Sequence, residues 1–148
     1  EIQAAGLSAV RRSLLDEPDP ARAPADVLLV DTTGELKIFY AASTLIFVGK
    51  SLAAQGGQNI IEPAMFEKPV IVGPNMQNFS SVMADFAAAR AIVQVADAPE
   101  WEKKILELWD DAEQRAALGR RAKNLVHEKA GAICASVGYF MELNKASE

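Results

Sequence analysis

Four short apolar runs without alternation constrain this chain most. They are Val27–Val30, Leu45–Val48, Val70–Val72 and, more weakly, Ala91–Val95. Runs of this kind, rich in β-branched residues, suit strands buried on both faces of a parallel sheet. Between them lie helix-compatible stretches at Glu35–Ser43, Asn59–Glu67 and Ser80–Ala89. Strand and helix in alternation with short links predict an α/β fold, a doubly wound parallel sheet with flanking helices. Ala9–Ser13 is a further short strand. Pro18, Pro20 and Pro24 make Asp16–Ala25 a surface loop, because proline forbids a regular helix interior. Pro99 opens a helix whose apolar face carries Trp101, Ile105, Leu108 and Ala112. A second helix over Ala112–Glu128 presents Leu118, Ala122, Leu125 and Val126. A last one, from Ala132, carries Ile133, Val137, Phe140 and Met141.

Composition removes several classes. Half of the 148 residues are hydrophobic, enough for a core in one domain and too much for wholesale disorder. The net charge of −5 argues against a nucleic-acid partner, which calls for a basic face. The single cysteine, Cys134, excludes an internal disulfide and a multi-cysteine zinc site, and the single histidine, His127, excludes histidine-rich metal sites. No metal site and no cofactor are expected. No apolar run approaches the ~20 residues of a bilayer span, and the first ten residues do not form a signal peptide. Glu1–Gly6 reads as the last turn of a helix capped by Gly6. With Glu rather than Met at residue 1, it suggests a piece of a larger protein.

Ligands of open α/β sheets bind beyond the carboxyl ends of the strands, and three polar segments occupy such positions. After the 27–30 run come Asp31, Thr32, Thr33, Gly34 and Glu35. Thr32 or Thr33 can cap the next helix, Gly34 permits a positive φ, and Glu35 favours a first helical turn. Taken alone, this is an ordinary capped helix start. After the 45–48 run come Gly49-Lys50-Ser51 and then Gly56-Gly57-Gln58-Asn59-Ile60-Ile61-Glu62. Paired glycines let amides approach a ligand, and the helix start behind them suits a phosphate. Glu62 lies one turn after Asn59, so both can face one ligand, with the carboxylate accepting from sugar hydroxyls. A capping box explains Asn59 and Glu62 equally well, but not Gly56-Gly57. Gly73–Phe79 is the third segment, with Asn78 or Ser80 as a cap. A P-loop is disfavoured, since Gly49-Lys50-Ser51 lacks the upstream glycine. His127 reads as a surface or half-buried side chain, Cys134 as a buried thiol, and Trp101 and Trp109 as packing residues. Arg120, Arg121 and Lys123 read as a solvated helical face.

The ordered set Asp31-Thr32-Thr33-Gly34-Glu35-Leu36, Tyr40, Phe47–Ser51, Gly56–Ala64, Lys68–Pro74 and Asn78-Phe79 resembles the C-terminal domain of 3-deoxy-D-manno-octulosonic acid (Kdo) transferases, enzymes that put Kdo on lipid A. The likeness runs from about Arg11 through Val95 and more loosely to the end. It implies a GT-B glycosyltransferase of two Rossmann-like domains, of which the C-terminal one, a Rossmann-like parallel sheet with flanking helices, binds CMP-Kdo. Thr33, Gly34 and Glu35 would then line the CMP site together with Asn59, Ile60, Ile61 and Glu62. Glu62 would hold the ribose hydroxyls, and Gly56 and Gly57 would face the phosphate. Residues 1–97 would form the nucleotide-sugar-binding part and 98–148 helices packed on it, together one partial domain.

The same resemblance places the lipid A precursor, the membrane anchor and the catalytic base in an N-terminal domain, so no catalytic residue is assigned here. The parent enzyme would work at the cytoplasmic face of the bacterial inner membrane, and this piece would be soluble and inactive alone. Thr33 and Gln58 depart from the family's usual methionine and histidine. Family members also carry a Pro-Arg element and two strands upstream, so the resemblance implies truncation at the N-terminus. An edge of the 27–30 strand would then be open, inviting either self-association or pairing with residues 9–13. A UDP-sugar transferase or epimerase, and a non-catalytic α/β interaction module, are the competing readings.

Overall fold

The structure is a computed structural model that describes residues 1–15 and 24–145, with side chains to residue 130. Pro18 and Pro20, and the side chains of Ile133, Cys134, Val137, Phe140 and Met141, lie outside the described residues. The chain forms two compact units, Glu1–Phe39 and Tyr40–Glu148.

In the first unit a short 3-10 turn, Gln3–Ala5, ends at Gly6 with φ +75°. The chain then enters β1 (Ala9–Arg11), which pairs in parallel with β2 (Val27–Leu29), Ala9 opposite Val27. Two serine–aspartate clasps flank the pair. Asp26 accepts from the Ser8 N–H at 2.8 Å and its hydroxyl at 2.6 Å. Asp31 accepts from the Ser13 N–H at 2.9 Å and its hydroxyl at 2.8 Å. These donors hold both carboxyl groups below the usual aspartate range. The intramolecular pairing of residues 9–13 with the 27–30 run is therefore present. Burial of that run on both faces is not: Leu28 is 40% and Leu29 47% exposed. Among the described residues this sheet has two strands, too few to shelter both faces.

The second unit holds a separate parallel sheet in the order β3 (Ile46–Val48), β4 (Val70–Val72), β5 (Val93–Gln94). The expected single sheet is thus two parallel sheets, with α-helices in the connections. The helices are α1 (Leu36–Ala42), α2 (Lys50–Ala53), α3 (Ile61–Ala64), α4 (Ser80–Ala88), α5 (Ala98–Asp110) and α6 (Ala112–Lys145). α1 spans the boundary between the units. β4 meets the expectation of a strand buried on both sides. Val70 and Val72 join Val48, Ile60, Ala64 and Phe86 in one cluster, while Ile71 joins Val95, Leu108 and Leu118 in another. Each fully buried aliphatic of this kind contributes ~1.5–3 kcal/mol.

Local signals explain the helix ends. Asp97 caps α5 by accepting from the Glu100 N–H at 2.9 Å, and Glu100 reaches back to the Ala96 N–H at 2.7 Å. The two C-terminal helices expected from the sequence are one, α6, because an interior glycine costs only ~1 kcal/mol and neither proline nor cap interrupts at Gly131. α6 packs on the turn after α3. There Glu67 takes φ +59° and pairs with Lys123 at 2.9 Å. Gly119 faces its carbonyl, and a Cβ on Gly119 would stand 2.5 Å from the Glu67 carbonyl carbon. Trp101 packs on Phe47 with ring centroids 5.3 Å apart. Trp109 is instead 61% exposed, because it lies away from the α5 face that buries Leu108.

Candidate functional site

Parallel pairing puts the carboxyl ends of β3, β4 and β5 along one edge. Two connections rise from it, residues 49–60 after β3, which include α2, and 73–79 after β4. Ser51, fully buried, laces them together. Its hydroxyl donates to the Val48 carbonyl and accepts from the Gly73 N–H at 2.7 Å. Gly73 admits no side chain, since a Cβ would meet Ser51 O at 2.5 Å and Leu52 Cα at 2.6 Å. Asn75 adds a backbone bond to Ser51 O at 2.9 Å, and Gln94 donates from Nε2 to Gly73 O at 3.2 Å. The three strand ends thus form one hydrogen-bonded floor.

On this floor sits the glycine pair. Gly56 and Gly57 have φ of +96° and +68°, a region that costs other residues ~1 kcal/mol or more. The second loop holds them. Gly56 donates to Gln77 Oε1 at 2.9 Å, and the Asn78 N–H donates to Gly56 O at 3.4 Å. A Cβ on Gly57 would stand 2.5 Å from Met76 Sδ. Both glycines are buried, yet among the described residues the N–H groups of Gly57 and Gln58 have no partner. The stretch then turns into α3. Asn59 Oδ1 accepts from the Ile61 N–H at 2.9 Å. This is a side-chain turn rather than the expected cap, for Ile60 is the N-cap residue and no side chain caps α3. α4 likewise starts without a cap from Asn78 or Ser80. Asn78 packs against Gly56 instead.

Ile60 is fully buried, anchoring the stretch, whereas Ile61 is exposed and Glu62 half-buried. Glu62 lies in the first turn of α3. The Tyr40 phenol is pushed above its ordinary pKa, first by burial and then by the charge of Glu62. Tyr40 also packs on Phe66, ring centroids 5.8 Å apart. Glu62 thus offers a half-open acceptor beside a phenol.

Thr33, Gly34 and Glu35 lie in the first unit, in the bend between β2 and α1. Thr33 and Gly34 are exposed, and Gly34 has φ +88°. The expected threonine cap is absent: the Thr32 hydroxyl donates to the Glu35 carboxylate, and among the described residues no backbone N–H donates to either threonine hydroxyl. Arg12 binds the same carboxylate at 2.7 Å. Thr32 first, then Arg12, hold Glu35 below the usual glutamate range. A carboxylate has about four acceptor positions, so Glu35 retains capacity for another donor. Arg12, Ser51 and Gln77 carried no mark of their role in the sequence. Each is a single polar residue whose partner lies about twenty residues away. The small residue Gly73, directly after a strand, was the one local hint of close approach.

The family model described as Glycosyl transferases group 1 matches residues 22–125. A 3-deoxy-D-manno-octulosonic acid transferase of Bordetella pertussis is 41% identical over 133 residues, 89% of this chain and 30% of that protein. The protein of the same name from Haemophilus influenzae is 32% identical, over 84% of this chain and 29% of its own length. The chain therefore spans about 30% of these relatives. The crystal structure of the C-terminal CMP-Kdo binding domain of WaaA from Acinetobacter baumannii aligns with a TM-score of 0.74 and 31% identity, covering 84% of this chain and 64% of that one. With parallel sheets, flanking helices and a family match across most of its length, the chain belongs to the group 1 glycosyl transferases.

Proposed function

We propose that this chain is the donor-binding part of a Kdo transferase and that it takes CMP-Kdo at the carboxyl edge of β3–β5. The glycine pair carries the reading. It is fixed by Gln77 and Asn78 and leaves two adjacent N–H groups unpaired ahead of α3. Consecutive free amides suit a phosphate oxygen. On this reading Gly56 and Gly57 face the CMP phosphate, Glu62 accepts from the ribose hydroxyls, and Asn59, Ile60 and Ile61 complete the wall. Thr33, Gly34 and Glu35 are assigned as further CMP contacts on the resemblance alone. The likeness to a CMP-Kdo binding domain supports CMP over other nucleotides. Lipid A precursor as acceptor, and work at the cytoplasmic face of the bacterial inner membrane, belong to the same proposal for the whole enzyme. No helix among the described residues is long and apolar enough to cross a membrane.

Calorimetry with CMP and UDP tests this. CMP binding that Glu62→Ala weakens, with UDP binding at least tenfold less tightly, is the expected result. Preference for UDP would move the chain to a UDP-sugar enzyme. Absence of binding by either nucleotide, in the chain and in the full-length protein, would leave an interaction module. The chain alone is expected to show no Kdo transfer, and turnover would contradict this division of labour. Self-association through an exposed sheet edge is the remaining partner in this reading, and a monomer in light scattering would remove it.

A further inference from the structure

A second concavity, of about 380 Å³, runs along the outer side of β5 between α4, α5 and α6. Its apolar floor includes Met83, Leu108 and Leu118, and its charged lining is Arg90, Lys104 and Arg121, with no carboxylate among the lining residues. In a chain of net charge −5, such a hollow concentrates positive potential beside low-dielectric walls. Neither arginine has a carboxylate partner among the described residues. Lys104 shares Glu107 at 2.7 Å.

The backbone at Arg90 is the second, independent sign. α4 ends in a Schellman arrangement: the Ala91 N–H donates to Phe86 O at 2.8 Å and the Arg90 N–H to Ala87 O at 3.0 Å. This puts Arg90 at φ +49°, where glycine is the favoured residue and a long side chain carries a conformational penalty. Arg121 secures the position by donating from Nε to the Arg90 carbonyl at 2.6 Å. An arginine kept where glycine fits better, fastened by a second arginine at the wall of a cationic hollow, is strain located at a site.

We propose that this cleft binds a small phosphate-bearing anion, with Arg90, Arg121 and Lys104 as its cationic ligands. Guanidinium forks match phosphate oxygens two at a time, and the volume suits a free diphosphate with its waters rather than a macromolecule. Its three cations lie outside the donor loop, although Gln94 lines the cleft and also donates to Gly73 O, and the proposal does not rest on the donor reading.

The test is calorimetric titration of the chain with inorganic pyrophosphate at low ionic strength, in the presence and absence of saturating CMP. One site that persists with CMP present is expected. Arg90→Gly should weaken it at least tenfold while the melting temperature stays level or rises, because glycine relaxes the positive-φ position. Arg121→Gln should weaken it as well. The proposal is overturned by unchanged affinity in Arg90→Gly, by competition from CMP, or by no binding at millimolar pyrophosphate.

Discussion

Replacing Gly119 by alanine sets two rules against each other. In an exposed helix interior the change stabilises by ~1 kcal/mol, because alanine is the better helix former. Here the new Cβ would stand 2.5 Å from the Glu67 carbonyl carbon and 3.1 Å from the Lys68 nitrogen, whereas ordinary contact begins near 3.4 Å. The Glu67 carbonyl oxygen stands nearer still, so α6 and the turn must separate by at least about 0.9 Å. Ala64 of α3 and Ala122 of α6, fully buried in one cluster, lose contact as the gap opens. The turn yields little, since Glu67 already takes φ +59°. Overpacking of this kind costs ~3 kcal/mol at its upper range, which leaves a net loss of ~2 kcal/mol. For a chain of this size that lowers Tm by ~4–8 °C. Scanning calorimetry on Gly119→Ala decides it. A Tm equal to or above that of the parent chain would refute the packing argument and leave helix propensity in control.

Ser51→Ala strips a buried amide of its acceptor and should cost ~1–3 kcal/mol, read as a lower urea midpoint at unchanged m. Gly57→Ala forces a Cβ against Met76 in a left-handed conformation; on the proposed function, CMP affinity in calorimetry should fall at least tenfold. The first unit should loosen in acid. Asp26, Asp31 and Glu35 all have folded pKa values held down by hydrogen-bond donors. Their stabilisation is complete above the ordinary carboxylate range near pH ~4 and fades as pH falls through the lowered values, where the unfolded chain binds more protons. Amide exchange at Ser8 and Ser13, corrected for intrinsic rates, should show less protection at pH 3 than at pH 6. Equal protection at both would contradict it.

The strands were legible because burial on both faces imposes a composition. Leu45–Val48 and Val70–Val72 carry it and are strands of the central sheet. Val27–Val30 carries the same composition, yet β2 is exposed, since a run of residues records which layers a strand can support and not how many strands stand beside it. Gly56–Glu62 stood out through the glycine pair, whose positive φ values explain the choice of residue. The lacing around it was not legible. Gln77 and Ser51 act through single hydrogen bonds to segments about twenty residues distant, and no spacing rule reports such a bond. Capping was over-read at Thr32, Asn59 and Asn78, where a polar side chain beside a helix start found a different partner. The division of the C-terminal helix between Glu128 and Ala132 was over-read for a related reason: neither proline nor a cap stands there to end it.

α6 has one further consequence, for the chain as it is synthesised. It supplies Leu118 to the cluster on one face of β3–β5 and Ala122 to the cluster on the other. Every strand precedes it, and the pairs themselves span long separations, Ile46 meeting Val70 and Ile71 meeting Val93. A nascent sheet therefore leaves the ribosome with both apolar faces only partly covered, by residues of α3 and α4 on one and of α5 on the other. It closes when α6 arrives, which places the commitment step of folding after α6 has been made.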